Sequence, residues 1–499
     1  IGAGRKAAWV IDRWFSTGCV DKFQTGFVSK RTTLSPLDPS FFAQFTKIER
    51  GHMPKIDKVV RAKNWEEVDI GVTEAQVRHE TARCLSCGCN SVFDCDLKVF
   101  SGNYDARQER FKGKLKKHKM DERHPYILLD SNKCILCGRC VRYCGELIGV
   151  HALGFINRGY DTVVKPTLDK PLAETPCIAC GNCIEVCPTG AITFKAGLEK
   201  PGPFRTVPYR SVCSFCGVGC ELDVNHTGRD FFFVTGKPAD PFTEGELCAK
   251  GRFGTYYVGS RDRLYNPVLK GRGNVGMHDA AVALAAGLKR FKGDEILFLA
   301  SPRVSCETAF LFAALARQAG SPLVFAAEDL RREQLPDVAM AAGLNGSTAK
   351  QDDVLGAGVI VTVGEHALTY NPVFGFKVRR AVKDGAKLVH VGPVAKAWKA
   401  VVTAHLDCKA GEEAQTLSAL CGAIVRAGAH DKAAVAKAVN GGQFTGFGFA
   451  KASPAVEQAA ALFNGKKVVV VVNQDAAVGS DNAELKWAAD LALLAGGSG

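Results

Sequence analysis

Two cysteine runs, packed into residues 134 to 187, constrain this chain more than anything else in it. The first reads Cys134-Ile-Leu-Cys137-Gly-Arg-Cys140-Val-Arg-Tyr-Cys144, and the second Cys177-Ile-Ala-Cys180-Gly-Asn-Cys183-Ile-Glu-Val-Cys187-Pro188. Each is a C-x2-C-x2-C-x3-C run, the spacing that wraps three thiolates round one iron–sulfur cube and sends the fourth to its neighbour. The spacing therefore predicts one [4Fe–4S] cluster on Cys134, Cys137, Cys140 and Cys187, and a second on Cys177, Cys180, Cys183 and Cys144. Thiolates are soft anionic ligands suited to iron, and Gly138 and Gly181 let the backbone approach the inorganic sulfurs. Paired C-x2-C motifs also bind structural zinc, but two consecutive quartets ending in Cys-Pro-Thr-Gly fit two zinc knuckles poorly.

The same stretch carries a resemblance. Cys137 to Cys144, Gly149-Val-His-Ala-Leu-Gly-Phe-Ile-Asn-Arg158-Gly159 and Cys183 to Gly190 resemble the two-cluster insert of three related families. These are the large iron–sulfur subunit of NADH dehydrogenases (respiratory complex I), the iron-only hydrogenases and the formate dehydrogenases.

With 499 residues the chain is long enough for several domains, since single cores stop growing near about 250–300 residues. No run approaches the ~18 apolar residues of a membrane helix. The strongest, Val468 to Val472, reads as a buried strand, and no signal peptide opens the chain. It begins Ile-Gly-Ala-Gly without Met, so an upstream piece is an open expectation. Of the 20 cysteines, sixteen fall into four ligand quartets. Thiolates must stay reduced to hold iron, which points to a cytoplasmic, anaerobic setting rather than a disulfide framework. The formal charge of +13 is mild for this length. Its densest part, Lys112, Lys114, Lys116, Lys117 and Lys119, reads as a solvated linker or as a docking surface for an acidic partner. It lacks the interleaved aromatics and the recognition motif of a nucleic-acid binder.

In chain order, residues 1–16 read as a Gly-led helix with an apolar stripe at Ala8, Ile11 and Phe15. That Gly-Arg-x-Ala-Ala segment resembles the last helix of the flavin- and pyridine-nucleotide domain in the glutamate synthase small subunit. The resemblance implies a flavoprotein module that precedes this chain or packs upon it. Residues 17–104 are expected to be a helical, cysteine-rich segment. In it Thr73 caps a helix that delivers Cys84-Leu-Ser-Cys87-Gly-Cys89, followed by Cys95. The Arg-Cys-Leu-x-Cys-Gly-Cys pattern is similar to the same glutamate-synthase group. Cys84, Cys87, Cys89 and Cys95 are expected to close a third [4Fe–4S] cluster; the tight Cys87-x-Cys89 spacing leaves zinc as a competitor.

A basic linker, residues 105–125, leads to the ferredoxin-like unit, residues 126–200. Residues 208–270 hold Cys213-Ser-Phe-Cys216-Gly-Val-Gly-Cys220 and Gly245-Glu-Leu-Cys248-Ala-Lys-Gly251. C-x2-C-x3-C followed by Cys-x-Lys-Gly resembles the N-terminal cluster domain of molybdopterin oxidoreductases, with Lys250-Gly-Arg-Phe-Gly most like formate dehydrogenases. The resemblance implies a fourth [4Fe–4S] cluster on Cys213, Cys216, Cys220 and Cys248, with Lys250 at the position between cluster and pterin; a helix-capping surface lysine is the equal alternative for Lys250.

From 271 to 499 the pattern becomes βαβ. Short apolar runs (295–300, 358–363, 387–391 and 467–472) alternate with helices over 306–319 and 373–383, which predicts a parallel sheet covered by helices. Val361-Thr-Val-Gly364 followed by Tyr370-Asn371-Pro372 resembles the nucleotide-facing loop of the molybdopterin domain. Yet Ser321 to Arg332 lacks the expected Cys-His metal ligand, and the strand end reads His390-Val-Gly-Pro393 where the family has Asp-Pro-Arg. Cys306, too early for a ligand, is expected to be a packed core thiol. Cys19, Cys408 and Cys421 have no assigned role.

The expected fold class is thus a multidomain α/β protein with Fe–S modules. It comprises a 2[4Fe–4S] ferredoxin-like insert, a molybdopterin-oxidoreductase-type cluster domain and a partial parallel-sheet α/β domain kept as scaffold without cofactor. The expected function is that of an electron-transfer subunit with four [4Fe–4S] clusters and no catalytic residue in this chain. It would relay single electrons between a flavin site and a partner redox subunit or ferredoxin in a hetero-oligomeric, NAD(P)H-linked complex. FAD and NAD(P) would sit in an upstream module or partner, and no nucleic acid or direct membrane span is expected. The alternative is the front part of a molybdenum or tungsten formate dehydrogenase carrying molybdopterin. A purely structural scaffold fits less well, since one cluster would suffice to staple a fold.

Overall fold

The structure is a computed structural model. It describes residues 2–20, 46–83, 95–106, 118–195, 205–228, 231–260, 262–301, 303–326, 347–364, 368–433, 435–436, 449–472 and 483–496, with isolated positions 43, 91, 93, 113 and 116. Its contacts divide into two compact units. The first holds residues 1–137, 156–164 and 186–207, and the second holds 138–155, 165–185 and 208–499.

In the first unit, helix α1 (Gly2–Thr17) forms where the sequence predicts it, and no residue of it is buried; Ile11 and Phe15 of its apolar stripe are exposed. Helix α2 (Glu74–Ala82) starts at Thr73 as expected. The Thr73 hydroxyl accepts from Gln76 N, and Gln76 Oε1 accepts from Thr73 N at 2.8 Å, so two orphan N–H groups are satisfied reciprocally. Its last turn is tied to the preceding segment: Arg83 Nε donates to Ile48 O, and Glu80 accepts from Gly51 N. Strands β1 (Ile127–Leu129) and β2 (Ile192–Phe194) pair antiparallel, Leu128 opposite Thr193.

The second unit begins its cluster region with a three-stranded sheet of β3 (Val207–Val212), β4 (Glu221–His226) and β5 (Phe231–Gly236), in the order β3-β4-β5. The short helix α3 (Ala249–Phe253) follows, then α4 (Met277–Leu288), β6 (Leu297–Ala300), α5 (Cys306–Gln318) and β7 (Leu323–Ala326).

The core lies in the last part of this unit. Strands β8 (Val359–Val363), β9 (Lys387–Val391), β10 (Ala404–Leu406) and β11 (Val468–Val472) form one wholly parallel sheet in the order β10-β9-β8-β11. Parallel sheets need cover on both faces, and every residue of β8 is buried. Val359, Val361 and Val363 face a cluster that includes Leu417, Leu420 and Ile424 of helix α7 (Glu413–Arg426), Ala459 of α8 (Pro454–Ala460) and Leu491 of α9 (Ala483–Leu494). Ile360 faces the other way, with Val378 and Ala381 of helix α6 (Pro372–Lys383). Helix α6 starts on Pro372, whose missing N–H costs nothing at the first helical position. It ends before Gly385, at φ 115°.

The apolar runs thus form strands, and both expected helices form. Among the described residues, however, the sheet is not one. β6 pairs with β7 in a separate parallel pair, with Leu297 and Leu299 exposed and Phe298 packed on Phe312. Cys306 is also not a core thiol: it is exposed in the first turn of α5, whereas Cys421 of α7 is buried. Short-range periodicity marks an apolar face but not which member of a helix end escapes it. No helix among the described residues is long and apolar enough to cross a membrane.

Candidate iron–sulfur centres

The two ferredoxin-type runs fold alike. Leu136 (φ 56°) and Gly138 (φ 72°) take left-handed backbone, and at the matching places so do Ala179 (φ 53°) and Gly181 (φ 72°). Non-glycine residues enter that region only when a loop demands it. The reversed turns let Leu136 N donate to Cys134 Sγ and Ala179 N to Cys177 Sγ, each at 3.4 Å. Short helices then begin at Arg139 and Asn182, carrying Cys140 and Cys183.

Of the first set, Cys134, Cys137 and Cys187 belong to the first unit and Cys140 to the second. Burial, with the neighbouring Cys187 and Cys137, raises the Cys134 thiol. The segment after Cys187 is anchored by Thr189, whose hydroxyl donates to Lys133 O at 2.9 Å.

The second set, Cys144, Cys177, Cys180 and Cys183, lies wholly in the second unit. Burial pushes Cys180 up to about 12; the Asn182 N–H and the Arg252 guanidinium oppose that, while Cys177 and Cys144 add to it. Cys183 is raised as well, by burial first and then by Cys180, Cys177, Cys140 and Cys144. Cys140, Cys144, Cys177, Cys180 and Cys183 are thus neighbours in one buried region. Ala152 N donates to Cys144 Sγ at 3.3 Å.

The third set, Cys213, Cys216, Cys220 and Cys248, also lies within the second unit. Burial raises Cys220, and Cys213, Cys216 and Cys248 all add to the effect. Cys213 N bonds Cys220 O at 2.9 Å, closing the C-x2-C-x3-C loop, while Cys248 caps α3 with Gly251 N donating to its sulfur. A β-carbon at Gly251 would stand 3.6 Å from Cys213 Sγ and 4.0 Å from Cys248 Sγ, so both thiols border this turn of α3. Lys250 is exposed on α3 and lowers the thiol of Cys216 against the larger effect of burial.

Of the set expected at 84–95, only Cys95 lies within the described residues. It is buried and precedes the helix Asp96–Asn103. Cys84, Cys87 and Cys89 lie outside them, as does most of the lysine run. Lys116 is described, stacked 4.6 Å over the Tyr160 ring.

Residues that sequence reasoning passed over join the second set to the third. Arg252 of α3 is buried; its Nε donates to Cys180 O at 2.8 Å, one terminal nitrogen to Asn182 Oδ1 at 2.9 Å, and the other to Glu185. Asn182 Oδ1 also accepts from Leu247 N at 3.1 Å, which fixes the amide's orientation. Its Nδ2 is then a buried donor with no hydrogen-bond partner in the protein, one residue from Cys183. A buried donor left without a protein partner, beside a cysteine loop whose N–H groups are aimed at sulfur, fits a sulfide-bearing cluster. Among the described residues no group of three or more His, Cys, Asp or Glu is placed to hold a single metal ion. A signal existed for a second pairing: Lys377 falls on the apolar face of α6, between Phe376 and Val378, where a lysine requires a buried partner.

At the C-terminal end of the parallel sheet, His390 replaces the acid of the family pattern. It is buried, its Nδ1 lies 2.8 Å from Thr362 Oγ1, and its Nε2 lies 2.8 Å from Pro393 O. A carbonyl only accepts, so Nε2 carries the proton and Nδ1 accepts from the threonine hydroxyl. Burial lowers its pKa, and both nitrogens are occupied within the sheet.

Comparison with known proteins identifies cluster-binding domains in both regions. Residues 124–193 match the family described as NADH-quinone oxidoreductase subunit 3, ferredoxin-like domain, and residues 208–260 match the molybdopterin oxidoreductase Fe4S4 domain. The NADPH-Fe(3+) oxidoreductase subunit alpha of Geobacter sulfurreducens is 30% identical over 436 residues, covering 82% of this chain and 50% of that protein. An NADH-quinone oxidoreductase subunit of Rhizobium meliloti is 29% identical, covering 68% of this chain and 40% of its own length. A Staphylococcus haemolyticus protein provisionally named a formate dehydrogenase is 25% identical, covering 70% and 40%. The chain therefore spans about half the length, or less, of these relatives. The expected likeness to complex I and formate dehydrogenase subunits is borne out, and cluster-binding domains of both kinds are present.

Proposed function

We propose that this chain, which belongs with the iron–sulfur subunits of the NADH-quinone oxidoreductase and formate dehydrogenase kind, carries electrons one at a time through four [4Fe–4S] clusters. What supports the reading is that two cysteine quartets, Cys144/177/180/183 and Cys213/216/220/248, lie within one compact unit and that Arg252, on the helix Cys248 caps, bonds the loop of Cys180. Cys134, Cys137, Cys140 and Cys187 would hold another cluster, and Cys84, Cys87, Cys89 and Cys95 the remaining one. A bound cluster supplies reversible one-electron storage. The chain's own residues bury the thiolates, aim N–H groups at their sulfurs and hold the loops at fixed spacing, which together set potential. Lys250, beside Cys216, occupies the edge from which an electron would leave.

The flavin that splits hydride pairs belongs in this reading to an upstream module or partner, against which the uncovered stripe of α1 would rest. The terminal acceptor would be a separate redox subunit or ferredoxin, in a cytoplasmic hetero-oligomer. The formate dehydrogenase reading keeps one specific support, the Cys248-Ala-Lys-Gly-Arg-Phe-Gly sequence and a relative of that name. Against it stands His390, whose ring is occupied by Thr362 and Pro393 where an acid would hold a nucleotide ribose.

Elemental analysis of the anaerobically purified complex, normalised to this chain, tests the reading. Four clusters predict about sixteen iron from this subunit. Near-stoichiometric molybdenum or tungsten traced to this chain would make it catalytic instead. About twelve iron and one zinc would move the Cys84–Cys95 set to a structural role.

A further inference from the structure

We propose that Arg252 is a positioning residue that fixes the loop of the Cys144/177/180/183 cluster to the helix of the Cys213/216/220/248 cluster and raises the reduction potential of the former. The inference rests on the electron-relay reading and adds to it a named determinant of where the electron rests.

The guanidinium is built into its place. Its side chain is fully buried, and it crosses from α3, four residues after Cys248, to the loop of Cys180. There all three of its nitrogens donate, to Cys180 O, to Asn182 Oδ1 and to Glu185. Gly181 makes the crossing possible: a β-carbon there would lie 2.3 Å from Arg252 Cδ and 3.0 Å from the Phe253 ring. A planar, permanently charged fork with several donors meets this need, and a lysine could not reach all the acceptors.

The charges are arranged unevenly. The guanidinium edge carrying Nε lies on the carbonyl of a cluster ligand, and Glu185 pairs with a nitrogen on the other branch and is partly exposed, 28% on its side chain. A buried cation beside a cluster favours the added electron, and the better-solvated carboxylate offsets only part of that. The two residues therefore act on the cluster with opposite signs.

The test is an EPR-monitored redox titration of the intact complex carrying wild-type chain, Arg252→Gln, Arg252→Lys or Glu185→Gln. With Arg252→Gln, one cluster should become about tenfold harder to reduce at a fixed applied potential, a drop of ~59 mV for one electron, while the other clusters hold. Glu185→Gln should move the same cluster the opposite way, and Arg252→Lys should lie between wild type and Arg252→Gln. A merely structural role would give no such opposition of sign. If Arg252→Gln loses iron, Glu185→Gln, which retains the guanidinium, still decides the sign. Unchanged midpoints, or a shift of both variants in one direction, would overturn the inference while leaving the relay intact. Absence of four-iron signals from the wild type would overturn the relay reading and the inference together.

Discussion

Lys377 Nζ lies 3.1 Å from the Glu246 carboxylate, and both side chains are buried, 1% and 4% exposed. The pair joins helix α6 of the parallel sheet to the segment that delivers Cys248. Tyr143, next to Cys144, donates its hydroxyl to the same carboxylate at 2.5 Å, and burial with Glu246 keeps that phenol protonated. Glu244 completes the patch at 2.9 Å from Lys377 and also pairs with Arg380. Burial would raise Glu244, but the two cations hold it below the usual carboxylate range. Ile148, Cys213, Cys220, Leu222, Leu247, Val373 and Phe376 form an apolar cluster beside it.

Removing one member of such a pair leaves the other charge buried. Lys377→Met should therefore destabilise the protein by about 3–5 kcal/mol, whereas Lys377→Met combined with Glu246→Gln should recover much of that loss. Thermal unfolding of the two variants checks it. Equal losses in both would show that the pair is not an isolated buried charge couple.

Gly181 and Gly138 share φ 72° but not surroundings. At Gly181 an added methyl meets the buried Arg252 at 2.3 Å, and at Gly138 it meets only the exposed Phe155 ring at 3.0 Å. Both alanines bear the left-handed penalty of roughly 1–2 kcal/mol. Gly181→Ala should in addition lose the iron of one cluster, about four atoms of about sixteen, while Gly138→Ala keeps more. Iron analysis and melting of the two variants make the comparison.

Asp490 of α9 is buried, and that burial raises its carboxyl from 3.8 to about 6. The folded state then binds more protons than the unfolded one between those values, so this group's contribution is lost as pH rises from about 4 through 6. Asp490→Asn should be more stable than wild type at pH 7 by about 1–2 kcal/mol, and no more stable near pH 4. Melting curves across that range give the answer.

His390 has the opposite sign. Burial lowers its pKa below 6.5, with His405 adding and Pro393 O opposing. The unfolded chain takes up the proton first, so stability falls as pH drops below about 6.5. His390→Gln should flatten that acid limb in the same melts; an unchanged acid limb would mean that the ring titrates alike in the folded and unfolded chain.

Much of this protein is local, and its sequence alone determined that much. Cysteine spacing reports the reach of a single loop round a cluster, so Cys134 to Cys187 and Cys213 to Cys248 could be grouped without coordinates. Thr73 with Gln76 announced a helix start, and the apolar runs at 359–363, 387–391 and 468–472 announced buried parallel strands. Tertiary structure alone decided what depends on residues far apart in the chain. It made Arg252 a bridge between cluster modules, 72 residues from its partner Cys180. It paired Lys377 with Glu246 across the join to the sheet and, among the described residues, separated β6–β7 from the other strands. It also left Cys306 exposed and buried Cys421 instead. Buried charges explain the difference: their placement is settled by desolvation, which depends on what packs around them and not on the neighbours they have in sequence.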